Sequence, residues 1–160
     1  MANLQEITIY KERLAKTLCL SDDVTSLLRI DGDDDMTAKD FMYNRVFPYA
    51  HVPEASEVGR SFICFEIDVP SVKSDVIKTV EIKVYIMAHQ NIMRLPDNGG
   101  LRIDVLSSVG DKILNGSDRY GVGTVELMSF RSFNPITGYY GRELKYRVQD
   151  LNRSLCSWGD

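Results

Sequence analysis

Two stretches of alternating side chains limit the folds open to this chain more than any other feature. In "SFICFEIDV" (61–69), Ile63, Phe65, Ile67 and Val69 alternate with Phe62, Cys64, Glu66 and Asp68. In "TVEIKVYIMAHQ" (79–90), Val80, Ile82, Val84, Ile86 and Ala88 alternate with Glu81, Lys83, Tyr85, Met87 and His89. Successive side chains of a strand point to opposite faces, so each run predicts a strand with one strongly apolar face. The linking "PSVKSDVIK" is short enough to make the two antiparallel neighbours.

An apolar sheet face needs a cover, and helical patterns supply it. In "LRIDVLSSVGDKILNGS" (101–117), Leu101, Val105, Val109 and Ile113 fall on one stripe, with Leu106 and Leu114 beside it. The spacing predicts a helix that buries Val105, Val109 and Ile113 against the sheet. Arg102, Asp104, Ser108, Asp111 and Lys112 are expected to face away, and Gly116 to close the helix. Upstream, Leu4, Ile7, Leu14 and Leu18 mark another helix. Ser21 before Asp22 and Asp23 reads as the cap of a short one through Leu28. Thr37 with Asp40 caps a third, which must end before Pro48. Downstream, "GTVELMSFRSF" and "GYYGRELKYRVQDL" flank the turn Asn134-Pro135-Ile136-Thr137-Gly138 and predict a closing hairpin.

This order predicts an α+β fold: a mostly antiparallel sheet of about four strands, helices packed on one face, and a long β-hairpin at the end. A length of 160 residues suits a single domain. Its parts are N-terminal helices (1–45), a sheet-and-helix core (60–153) and a C-terminal arm (154–160). The arm is expected to leave the sheet and to set Trp158, the only tryptophan, against a neighbour or the subunit surface.

Composition narrows the function classes. Hydrophobic residues make up 44% and charged residues 26%, which argues against disorder of the whole chain. The net charge of −4 with no long basic run argues against tightly held nucleic acid. Cys19, Cys64 and Cys156 are odd in number and far apart, so reduced thiols are expected instead of a zinc site or a disulfide framework. The opening "MANLQEITIYKERL" has no signal-peptide pattern, and no stretch reaches membrane-spanning length.

Several patterns invite chemistry. Asp68 with Glu81-Ile82-Lys83 resembles the PD-(D/E)xK nuclease pattern: two carboxylates could hold Mg²⁺ and the lysine could steady an attacking water. Here the proline follows the acid, as Asp68-Val69-Pro70, and a solvated strand face explains the same residues. "DGDDD" (31–35) lacks the late glutamate of a calcium loop, since the twelfth positions from Asp31 and Asp33 are Met42 and Asn44. It is expected to be a solvated turn. Gly121-Val122-Gly123 lacks the third glycine of a dinucleotide fingerprint and precedes a strand, so it is expected to shape the start of the hairpin. His51 and His89 have no nucleophile motif near them and are expected to be packed or hydrogen-bonded.

The cadence of "VEIKVYIMAHQNIMR", then "LRIDVLSSVGDKILNGS", then "GVGTVELMSFRSFNPITGYYGRELKYRVQDLNR" resembles the tail-terminator (neck) proteins of long-tailed bacteriophages, from about Ser61 to Arg153. The resemblance implies a non-enzymatic structural virion protein, assembled in the host cytoplasm. It would form a hexameric ring at the head-proximal end of the tail tube, stop tube polymerisation and join the tail to the head. Its partners would be other copies, the tube protein and a head-completion or connector protein, with DNA sliding through the lumen and no cofactor or membrane. Another neck component, a head-closure or adaptor protein, and the Mg²⁺-dependent nuclease remain as alternatives.

Within that expectation the closing ribbon uses both faces. Leu144, Tyr146, Val148 and Tyr140 would face the core, while Glu143, Lys145, Arg147 and Gln149 face outward. Arg131, Phe133, Tyr139, Arg142, Glu143, Lys145, Arg147 and Trp158 are the candidate subunit-contact residues. A solvated edge hairpin, whose charges prevent sticking, explains the same ribbon.

Overall fold

The two alternating runs become β2 (Ser61–Val72) and β3 (Ile77–His89), antiparallel with Phe65 opposite Val84 and Ile67 opposite Ile82. They come from a computed structural model that describes residues 4–54 and 59–152. The C-terminal arm and Trp158 lie outside the described residues. The hairpin is β4 (Glu126–Phe133) and β5 (Tyr139–Leu151), joined by residues 134–138 with Gly138 at φ +90°.

The sheet runs β1-β2-β3-β5-β4. Its long strands are all antiparallel, as the sequence predicts. The fifth strand, β1 (Val46–Phe47), is parallel to β2 and makes the sheet mixed. Two residues ahead of Pro48 are too few to carry a period. The hairpin is not simply an edge: β5 pairs with β3 along its whole length, and only β4 is peripheral.

All the long helices cover one face. There α1 (Gln5–Leu20) reaches β1 and β2, and α4 (Arg102–Leu114) lies on β3 and β5. Between them, α2 (Asp22–Leu28) touches both helices, and the single turn α3 (Ala38–Phe41) sits against α1. The caps are those expected: the Ser21 side chain accepts from the Val24 amide, and Asp40 accepts from Thr37 at 2.7 Å. The core joins Leu14, Leu18, Val24, Leu28 and Phe41 to Ile63, Phe65, Ile82, Val84, Ile86, Leu144, Tyr146 and Val148. No helix among the described residues is long and apolar enough to cross a membrane.

The orientation of α4 differs from expectation. Ile103, Leu106, Ser107, Gly110 and Leu114 are its buried residues, whereas Val105, Val109 and Ile113 are only partly buried. Four residues advance about 400°, so a stripe with constant four-residue spacing drifts about 40° per step. The 103–106–110–114 series mixes three and four and stays over the sheet. Two residues expected to face away instead reach β5. Asp104 pairs with Arg142 at 2.8 Å, and Asp111 accepts from the Tyr146 hydroxyl at 2.8 Å.

Candidate functional site

With the helices on one side, the other face of the sheet has no second layer of secondary structure among the described residues. Register fixes its side chains in rows. Asp68, Glu81, Arg147 and Glu126 cross β2, β3, β5 and β4 in one row. Glu66, Lys83, Lys145 and Ser129 form the next, then Cys64, Tyr85, Glu143 and Arg131, then Phe62, Met87, Gly141 and Phe133.

The face divides in two along the strands. Its upper end is closed by the chain after β1. His51 stacks on Phe47 at 3.9 Å, and a small cluster forms from Phe47, Phe62, Cys64, Met87 and Tyr139. Burial there pushes the Cys64 thiol up to about 11 and helps push the Tyr85 hydroxyl up to about 12. The lower end is open: Asp68, Arg147, Glu126 and Arg131 are exposed, and Glu66, Glu81, Lys83, Glu143 and Lys145 are half-buried. Carboxylates and cations are intermixed on it, with Asp68 opposite Glu81 and Lys83 opposite Lys145, and Lys83 lies 3.5 Å from Glu81.

Of the expected contact residues, Arg131, Glu143, Lys145 and Arg147 do come together on this open face. Phe133 also points there and meets the Tyr85 ring edge-on at 5.5 Å. Tyr139 is buried in the small cluster, with no surface left to offer a neighbour. Arg142 is on the opposite face, because 142 shares parity with Leu144 and not with Lys145. It pairs with Asp104, donates to Ser132 at 2.8 Å and stacks over Phe130 at 4.8 Å. Tyr140 shares that face but is 46% exposed, beyond the end of the core. Trp158 lies outside the described residues.

The nuclease-like residues are also neighbours: Asp68 is directly opposite Glu81, and Lys83 is two positions along the same face. Glu81 already has two cationic neighbours, Lys83 at 3.5 Å and Arg147 as its register partner on β5. The Lys83 contact offsets part of the carboxylate charge that a divalent ion would need.

Other motifs have structural work. Asp33 of the acidic loop is held by the buried Arg45 at 3.0 Å and accepts from the Ile30 amide, so the loop is pinned and not merely solvated. A side chain on Gly121 would sit 2.5 Å from the Gln149 carbonyl, so the glycine permits close contact with β5. The amides of Val122 and Gly123 both donate to that carbonyl at 3.1 Å. His51 is packed between aromatic rings, and Nδ1 of His89 accepts from the Asn91 amide.

Sequence reasoning missed one buried ionic group. Lys78 is fully buried on the helix side, 3.7 Å from Glu6 and 3.9 Å from Asp150. Tyr10 donates to Asp150 at 2.7 Å. Desolvation and then Asp150 raise the Glu6 carboxyl above its ordinary value. The group ties the start of α1 to the lower end of β3 and β5.

A family model described as YomW matches residues 12–148. The chain belongs to the YomW family. It is a phage-derived family of the SPBeta-prophage type. The match runs from inside α1 almost to the end of β5, so the YomW unit includes every strand of the sheet and the open face. No curated protein matches the chain.

Proposed function

We propose that this YomW-family chain is a structural protein of the phage neck, a tail terminator that closes the head-proximal end of the tail tube as a homo-hexameric ring. The observation that carries the proposal is the open half of the sheet face, where four strands present intermixed carboxylates and cations with no covering layer among the described residues. Such a surface is soluble when free, and it can pair with a complementary surface without a large apolar patch. Arginine suits such a contact because its planar fork pairs carboxylates two bonds at a time. The ring would contact the tube protein on one side and a head-completion or connector protein on the other. DNA would slide through its lumen, and the site of action would be the virion, after assembly in the host cytoplasm. The chain is proposed to act without enzymatic chemistry.

The test is the protein content of purified particles. The proposal expects the chain in the virion, at six copies in proportion to a single-copy neck assembly. Absence from intact particles would remove the structural role. The facing pair Asp68 and Glu81 keeps the nuclease reading in view. DNA cleavage that requires Mg²⁺ and disappears in Glu81→Ala would replace the ring with that reading.

A further inference from the structure

The two ends of the sheet, β1 and β4, expose apolar surface of different kinds. They are four strand spacings apart, about 19 Å. At the β1 end Tyr43 is 64% exposed, in the turn that leads from α3 into β1. Its backbone is left-handed at φ +59°, where a bulky side chain is strained. The other non-glycine residues with positive φ, among those described, are Asp97 and Asn98, types that tolerate it. The Tyr43 amide donates to the Val46 carbonyl at 2.8 Å. Its ring stacks on Tyr49, which meets Phe47 of β1 edge-on. The fold thus fixes an aromatic ring in water and braces it from behind.

At the β4 end the backbone is closed to another strand. Gly116 and Ser117 bond the Val125 backbone, Asn115 accepts from the Leu127 amide, and the register shift at Met128 interrupts the edge. What this end offers is side chains. A groove of about 230 Å³ between α4 and β4 has an apolar floor of Leu127, Phe130 and Leu144 and a rim of Asp104, Ser108 and Asp111. Such a groove suits a side chain with an apolar body and a donor at its tip, and tyrosine has both. Asp111 uses Oδ1 for the Tyr146 hydroxyl, and a carboxylate accepts at both oxygens.

We propose that Tyr43 of one copy seats in the α4–β4 groove of the next, with its ring on Leu127 and Phe130 and its hydroxyl donating to the acidic rim. The levels match. Val46 lies in the row of Ile63, Ile86, Arg142 and Ser132, and Phe130 lies two residues along, about 7 Å away. The contact joins two different surfaces at opposite ends of one sheet, so it runs head to tail, the arrangement that a closed ring requires. This inference rests on the ring reading and deepens it. It gives the subunit contact to the ends of the sheet and leaves the charged open face to the tube or head partner.

The test is light scattering of the purified full chain over a wide concentration range. The expected mass rises with concentration above that of one chain. Tyr43→Asn removes the ring but keeps a residue that accepts left-handed backbone, and Phe130→Thr strips the floor but keeps a strand former. Each should raise the half-dissociation concentration by roughly thirtyfold or more, the effect of losing an aromatic anchor. Mixed in equal amounts, the two variants hold one intact tyrosine and one intact groove between them, and the mass should stop at two chains. A mass of one chain for the original at every concentration, or a mass that neither change lowers, overturns the seating. So does a mixture that fails to pair while both variants are folded by circular dichroism. If Phe130→Thr unfolds the chain, Tyr43→Asn decides alone. An assembled mass indifferent to both changes, from a chain present in virions at six copies, removes the seating and keeps the neck reading. Assembly lost in Tyr43→Asn, for a chain absent from particles, keeps the seating and removes the neck reading.

Discussion

Along β5, Leu144, Tyr146 and Val148 face the helices and are buried, while Glu143, Lys145 and Arg147 alternate with them and face the uncovered side. Both sets share one backbone and one register with β3. Their environments differ because α4 covers only one of the two faces. Stability is therefore concentrated on one face of the ribbon, and the other is left free to make contacts with other molecules. The same division separates two lysines of β3. Lys78 is enclosed among Glu6, Asp150 and Tyr10, whereas Lys83 is on the open face near Glu81.

Those lysines give the largest expected difference. Lys78→Ala leaves the buried Asp150 and the half-buried Glu6 without their cation and should cost about 3–5 kcal/mol in denaturant melts. Lys83→Ala should cost no more than about 1 kcal/mol. Equal losses would mean that the two faces are not distinct environments. On β5, Leu144→Ala should cost about 2–5 kcal/mol, and Glu143→Ala about 0.5 kcal/mol or less. On α4, Leu106→Ala should cost clearly more than Val105→Ala, because only Leu106 lies fully against the core. The reverse order would put the helix back on its 101–105–109–113 stripe.

A smaller effect separates the two ends of the open face. The Cys64 thiol is held up near 11 by burial under the Phe47 cluster. The folded state then keeps a proton that the unfolded chain gives up from its ordinary value of 9.0. Stability from this group is complete below pH 9 and is lost as pH rises towards about 11. Cys64→Ala should flatten part of that decline in melts at several pH values, and an unchanged slope would remove Cys64 as a cause.

Much of this was legible because period-2 alternation is strong in β2, β3 and β5, and because Gly138 and the Asn134-Pro135 pair mark a turn. The helix-packed side of the fold followed from the same pattern. The rotation of α4 was not legible: two apolar stripes overlap on it, and only the packed sheet chooses between them. The position of Arg142 followed from parity, which a charge-based grouping with Lys145 and Arg147 ignored. Lys78 gave no signal, since a lysine at a strand end ordinarily reaches water and its partners Glu6 and Asp150 come from distant parts of the chain. Tyr139 looked available because turns are usually exposed. The aromatic residues that bury it, Phe47 and Phe62, belong to the other end of the sheet.

Arg147 provides the most direct test that the open face serves assembly and not folding. It is exposed, with Glu81 and Glu126 as its register partners. Arg147→Glu reverses the charge at the centre of the first row and should cost the isolated chain about 1 kcal/mol, leaving its circular dichroism intact. The measurement is tail length and head attachment by electron microscopy of particles assembled with Arg147→Glu in place of the original chain. The account predicts tails that overrun their normal length or fail to join heads. Normal tails on normal heads, from a folded variant, would contradict it.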